Sequence, residues 1–246
     1  MHVKQYGEGS KTILAIHGWG GDHREFAPLA SRLPRGMRLL SVDLPGYGQS
    51  PLPARWDLSL ITEELAAVID EETHGDSTLM GFCSGAFLAM LLARERKNRI
   101  RRLVLIDPFT YLPWYFKLFT LGEFGRRAYY VSFASPVGRR IVNRVLQNRQ
   151  PTDGNFTEAF VHVNHQATLN YLHLFGQFKG HESLRDLNLP VDLAYGVQTF
   201  AAVRRSVAYI QQAWPHARIH KLRGVGHLTM VRGARQLAQI LCTEVE

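Results

Sequence analysis

A chain of 246 residues with 46% hydrophobic and 20% charged content can bury one substantial core, and it is neither disordered nor long enough for two ordinary domains. No run of about 18 apolar residues occurs, and the opening MHVKQYGEGSK lacks the apolar stretch of a signal peptide, so neither a transmembrane segment nor secretion is expected. The formal charge is +8, yet no nucleic-acid motif accompanies it, so the excess reads as a basic surface and not as a nucleic-acid site.

Thr12 to His17 (TILAIH) is a short apolar run of strand character, and Phe26 to Leu33 has helical spacing that stops before Pro34. Arg38 to Asp43 (RLLSVD) predicts a second strand, followed by a Pro-Gly turn over 44–50. Leu60 to Glu71 predicts a helix. Ser77 to Phe82 (STLMGF) predicts a strand running directly into a helix over Ser84 to Arg96, with Arg102 to Ile106 as the next strand. After a break the alternation resumes, with strands at Val191–Tyr195 and Ala217–Leu222 and helices at Ala202–Trp214 and Gly233–Val245. Such alternation is the mark of an α/β fold with a mainly parallel central sheet flanked by helices.

The break runs from Pro108 to about Gly180 and has no clean strand. Its 73 residues hold 15 of the chain's 26 aromatics. The expected organisation is a core made of 1–107 and 186–246, with a helical, aromatic-rich cap inserted at 108–185 that supplies apolar walls to a pocket. Arginines gather at Arg94, Arg96, Arg99, Arg101 and Arg102, and again at Arg126, Arg127, Arg139, Arg140, Arg144 and Arg149. They read either as a solvated surface or as a docking face for an acidic partner. The two cysteines, Cys83 and Cys242, form no disulfide framework, which predicts a reducing, cytoplasmic setting.

Chemistry concentrates in three segments. Gly81-Phe82-Cys83-Ser84-Gly85 joins a strand to a helix. The pattern predicts a tight, strained turn that exposes Cys83 at a helix N-terminus, with glycine on both flanks because side chains there would collide. His17-Gly18-Trp19-Gly20-Gly21 follows the first strand. Its flexible backbone could offer the Trp19 N–H to a developing oxyanion, with Ser84 giving the second N–H. Gly224-Val225-Gly226-His227 follows the last strand, where a histidine would serve the nucleophile.

HGWGG, VDLPGYGQS, GFCSGA and the late GVGH together resemble the α/β-hydrolase superfamily over roughly residues 10–107 and 190–246. More loosely, HGWG with DLPGYGQS resembles the esterases that cleave pimeloyl-carrier-protein methyl ester, and related small esterases and thioesterases. The resemblance implies a nucleophile at Cys83, where the family usually has serine, as some dienelactone hydrolases and polyester synthases of this fold also have cysteine. Cys83 is either the chain's own nucleophile or a serine replacement introduced by an experimenter. After VDLAYG the family usually carries an aspartate, but this chain has Thr199 near that place. Asp107 then reads either as the acid that orients His227, an arrangement known in certain haloalkane dehalogenases, or as an ordinary Asp-Pro turn start.

The expected activity is acyl hydrolysis by a Cys83–His227 pair with Asp107, using Trp19 and Ser84 as the oxyanion hole, on an apolar acyl ester or thioester. An acidic acyl carrier protein or coenzyme A would deliver the acyl group. Sulfur favours thioester exchange over oxygen-ester cleavage. Acyl transfer from the same intermediate, and a non-catalytic binding protein lacking the acid, are the alternatives. No Gly-rich nucleotide loop is present, and no cofactor or metal is expected. His17 reads as a support of the oxyanion loop, Asp43 as the anchor of the DLPGYG turn, His162 and His165 as a surface pair sharing a helix, and Cys242 as a small apolar filler.

Overall fold

The computed structural model describes residues 1–73, 77–149, 154–177 and 187–243. Within them, seven strands form one sheet: β1 (His2–Tyr6), β2 (Lys11–Ile16), β3 (Met37–Asp43), β4 (Ser77–Phe82), β5 (Ile100–Ile106), β6 (Val191–Gly196) and β7 (Arg218–Leu222). The order across the sheet is β1-β3-β2-β4-β5-β6-β7, and all neighbours are parallel except β1, which runs antiparallel to β3. β1 escapes sequence reading for a physical reason. It is an edge strand whose Lys4 and Gln5 are exposed, so it lacks the apolar run that marks the inner strands.

Side chains alternate across each inner strand and so build two cores. Leu14, Ile16, Leu79, Leu103, Leu105 and Leu193 face α2 (Leu58–Glu72), α3 (Gly85–Glu95) and α8 (Ala201–Ala213). Ile13, Ala15, Met80, Val104 and Ile106 face the other way, onto the short α1 (Ala27–Ala30), α9 (Thr229–Arg232) and α10 (Ala234–Cys242). The helix expected over 26–33 is therefore a 3-10 turn at His23–Phe26 followed by one turn of α1. The helix expected over 233–245 is α10, ending at Cys242, with the short α9 before Gly233 unforeseen and 244–246 outside the described residues.

Between β5 and β6 the chain forms α4 (Trp114–Lys117), α5 (Gly122–Tyr129), α6 (Pro136–Arg149) and α7 (His165–Gln177). These inserted helices have a small core of their own, from Leu112, Tyr129, Phe133, Phe160, Leu169 and Leu172. The boundary expected at 185/186 lies outside the described residues.

A polar cluster absent from the sequence reading ties the far half of the sheet together. Asp192 of β6, fully buried, accepts from Arg102 of β5 at 2.7 Å, from Arg218 of β7 at 2.7 Å and from His220 of β7 at 2.6 Å. Burial alone would raise its pKa, but these donors hold it well below the usual carboxylate range. Arg102 also donates to the carbonyls of Ile240 and Thr243, which fastens the end of α10. Removing the carboxylate would leave a buried guanidinium uncompensated. Asp192→Ala should therefore lose about 3–5 kcal/mol in urea unfolding. A loss under 1 kcal/mol would show the cluster to be incidental.

Candidate active site

The parallel strands β4 to β7 end on one side of the sheet, where α/β folds gather functional groups. Cys83 follows β4 with φ +54°, a left-handed conformation rare for a residue with a side chain. Its neighbours hold it there: its N–H donates to Ile106 at 2.9 Å, and its carbonyl accepts from Phe109 at 3.1 Å and Ala86 at 3.3 Å. The glycine flanks are steric necessities. A Cβ on Gly81 would lie 2.5 Å from Ala86 Cα, and one on Gly85 would lie 2.4 Å from the carbonyl oxygens of Ile16 and His17. The sulfur is partly exposed, at the floor of a cavity.

His227, in the loop after β7, stands beside Cys83, whose sulfur acts on the charge of its ring. On its other side Nδ1–H donates to Asp107 Oδ2 at 3.0 Å. Asp107 is fully buried at the end of β5, at φ +43°. Its carboxylate also accepts from the Gly196 N–H at 3.0 Å and the Thr199 hydroxyl at 3.1 Å. The structure thus brings Cys83, His227 and Asp107 together at one end of the sheet. Thr199, at the place where a family aspartate was expected, donates to the carboxylate that came from another strand. Sequence reading registered Thr199 only as a missing acid. Its signal was a hydroxyl at the right place in the chain, informative once Asp107 was known to face it.

Burial of the imidazole works against its charged form. The charge of the Cys83 sulfur and the hydrogen bond to Asp107 outweigh that, and His227 is raised to about 10. Three aromatic rings enclose it: Phe200 at 5.1 Å, Phe82 at 5.4 Å and Phe109 at 5.8 Å between centroids.

The Trp19 and Ser84 backbone N–H groups donate to no acceptor among the described residues. Gly18 packs directly on the elbow, where an added Cβ would meet Cys83 Cβ at 2.9 Å. The Trp19 side chain, which sequence reading passed over, clamps this loop to the inserted helices. Its Nε1–H donates to the Thr168 carbonyl at 2.7 Å, and its ring meets Phe160, Phe133 and Phe116 at 4.9–5.3 Å. Glu25 is a second residue the sequence did not disclose. It accepts from the Gly18 N–H at 3.0 Å and lines the cavity. Burial raises its pKa to about 7, against the opposing pull of that hydrogen bond and of His227.

The cavity over Cys83 has a volume of about 810 Å³. Trp19, Phe116, Phe119, Phe133, Phe160 and Leu172 contribute mainly apolar wall. His17 is buried beneath the loop, with Nε2 accepting from the Leu44 N–H at 3.1 Å and Nδ1 bonded to the Gly18 carbonyl at 2.8 Å. Burial lowers its pKa, in keeping with a neutral strut. Asp43 anchors its turn through the N–H groups of Gln49 at 2.9 Å and His23 at 2.6 Å.

Two readings need correction. His162 and His165 share no helix, because a 3-10 turn ends before His162 and α7 begins at His165, which meets the Tyr129 hydroxyl at 3.2 Å. Cys242 is exposed at the end of α10, whose packed face is Leu237, Ala238 and Leu241. The metal-capable donors that the described residues gather are His2, His23 and Asp43, within 4.8 Å of one another, and that carboxylate already serves the turn.

Residues 13–240 match the model of the alpha/beta hydrolase family, and the chain belongs to that family. Its sequence relatives include lipase LipV of Mycobacterium tuberculosis, 36% identical over 109 residues that make up 44% of this chain and 41% of the lipase. They also include a pimeloyl-[acyl-carrier protein] methyl ester esterase of Neisseria meningitidis, 34% identical over 102 residues, 42% of this chain and 38% of that protein. The matches thus span about two fifths of these relatives' length. The fold is shared with the enol-lactonase of Burkholderia xenovorans, with a TM-score of 0.79 and 17% identity over 98% of this chain and 94% of that one. It is also shared with a thermophilic esterase of Thermogutta terrifontis, with a TM-score of 0.78 and 16% identity over 98% and 90%.

Two titrations check these electrostatics. In Cys83→Ala the groups that raise His227 from the sulfur side are gone while burial stays, so its pKa should drop from about 10 toward neutrality in an imidazole NMR titration. An unchanged midpoint would refute the influence of the sulfur. Glu25 stabilises the fold when protonated, a contribution complete below pH 4.5 and lost as pH rises through about 7. Glu25→Gln should therefore gain on the parent by about 1–3 kcal/mol between pH 4.5 and pH 8 in denaturant titrations. Parallel pH profiles for the two proteins would contradict the assignment.

Proposed function

We propose that this protein is an acyl hydrolase, an esterase or thioesterase, that works through an acyl-Cys83 intermediate. The observation that carries this reading is His227 set beside Cys83 and hydrogen-bonded to buried Asp107, under an apolar cavity of about 810 Å³. The names of the sequence relatives, a lipase and a methyl ester esterase, support ester-type substrates.

The Cys83 sulfur attacks the acyl carbonyl carbon, and the carbonyl electron pair moves onto oxygen. The unengaged N–H groups of Trp19 and Ser84 accommodate that oxyanion. On collapse, the bond from carbon to the alcohol or thiol breaks, and His227 gives the leaving group its proton. Water then loses a proton to His227 and attacks the acyl-sulfur bond. The carboxylic acid leaves, and the sulfur recovers its charge beside the imidazolium. Asp107 holds the ring throughout, itself fixed by Gly196 and Thr199. The inserted helices 114–177 act as a cap that walls the acyl chain. The sulfur nucleophile favours thioesters, since an alkoxide is a poorer leaving group than Cys83 itself.

The idea of a non-catalytic binding protein rested on a missing acid, and a carboxylate at hydrogen-bond distance from His227 counts against it. If an acidic carrier protein or coenzyme A brings the acyl group, Arg140 and Arg144 are the cations to receive it. Arg126 and Arg127 share Glu123, and Arg139 donates to the carbonyls of Phe133 and Ala134. The free thiols suit a reducing compartment such as the cytoplasm.

Incubation with a panel of acyl thioesters and activated esters, followed by intact-mass spectrometry, should reveal one acyl group on Cys83. His227→Ala should lower the rate of acylation by at least about a hundredfold. Absence of both adduct and turnover across the panel would end the hydrolase reading. Product analysis with added alcohols, amines and thiols separates hydrolysis from acyl transfer.

A further inference from the structure

The large apolar side chains left in solvent are not scattered. Of the twelve exposed ones among the described residues, eight fall between Trp114 and Val145, on the inserted helices. Trp114 is 73% exposed, although its ring meets that of the adjacent Tyr115 at 5.9 Å, and Phe124 is 71% exposed, values unusual for aromatic rings. On α6, Val137, Ile141 and Val145 recur every four residues, which puts them in one stripe along the helix. Val145 also forms part of the cavity wall, so the stripe leads to the pocket above Cys83.

Charge is interleaved with this surface. Residues 113–149 contain seven basic side chains and one acid, Glu123. That acid is already shared by Arg126 and Arg127. Arg140 and Arg144 each stand one turn beyond an apolar member of the α6 stripe. Both are exposed, and neither forms an ion pair among the described residues.

We infer that the inserted helices form a docking face for an anionic lipid bilayer. Bare Trp, Phe and aliphatic side chains beside arginines are the composition that lies at a membrane interface, with rings and methyls in the acyl boundary and guanidinium groups among the phosphates. A small acidic protein would answer the arginines but not the exposed rings. A second copy would answer the rings, but it would set this strongly basic segment against its own like charge. No helix among the described residues is long and apolar enough to cross a membrane, so the contact is peripheral. The docking rests on this surface alone. Its use rests on the acyl-hydrolase reading: a lipid-soluble acyl ester would pass from bilayer to cavity along the Val137–Ile141–Val145 stripe without crossing water.

The test uses the full chain carrying Cys83→Ala, so that binding is read without acyl chemistry. Co-sedimentation should be strong with phosphatidylcholine vesicles containing phosphatidylglycerol and weak with phosphatidylcholine alone, and salt should weaken it. Arg140→Gln with Arg144→Gln should reduce partitioning roughly twentyfold, about fivefold per arginine near an anionic surface. Val137→Ser with Ile141→Ser should reduce it while circular dichroism melting stays that of the parent. Vesicles should shift tryptophan emission to the blue, and Trp114→Phe should remove most of that shift. Equal binding to both vesicle types, or none, overturns the proposal. So does capture by an acidic acyl carrier protein without vesicle binding, or a concentration-dependent dimer by light scattering that shifts the Trp114 emission in the absence of lipid. Hydrolysis of soluble thioesters without vesicle binding would leave the enzymatic reading standing and remove this one.

Discussion

The carboxylate of Asp107 holds the functional end of the molecule together. It sits at a strand end in a left-handed conformation, fully buried, and receives three donors from three different segments: the N–H closing β6, the hydroxyl of Thr199 and the ring of His227. A buried charge without such partners would be costly, so the ends of β5 and β6 and the loop after β7 must meet there. Cys83 is locked to the same point, because its own N–H bonds to Ile106, one residue before Asp107. The tight turn at Cys83 and the buried carboxylate of Asp107 are thus adjacent consequences of one strand pairing.

Around that point the protein places groups whose charges depend on one another. The charge of the sulfur raises His227 despite burial of the ring, while burial pushes Glu25, hydrogen-bonded to the Gly18 N–H, toward its neutral form. On the proposed mechanism a charged Glu25 would lie near the developing oxyanion, so its neutral form suits that chemistry better. The Trp19 side chain ties the loop over residues 17–21 to α7, which couples the position of that loop's backbone to that of the inserted helices.

Those helices look two ways. Their inner aromatics wall the cavity, and their outer face carries bare rings, aliphatics and free arginines. An enzyme acting only on small soluble esters has no need of the outer face. It is continuous with the cavity through Val145, which is the link the proposed bilayer docking uses.

The sequence by itself determined the sheet, the elbow and the two loops that flank it. Each is a local matter of apolar periodicity, of glycines demanded by close contacts at Gly81 and Gly85, and of chain order. It also brought Asp107 into view, but left it open as an acid or as a turn. Only the tertiary structure decided where that carboxylate points, because the deciding partners, Gly196, Thr199 and His227, are 89, 92 and 120 residues away. The same holds for Glu25 against Gly18, for the Asp192 cluster across three strands, and for edge strand β1, whose pairing and not its apolar content makes it a strand. Cys242 and the His162–His165 pair were misread because burial and helix register are set by packing partners that composition does not reveal. Long-range polar contacts leave no periodic trace in a chain, and they are what turn this fold into a site.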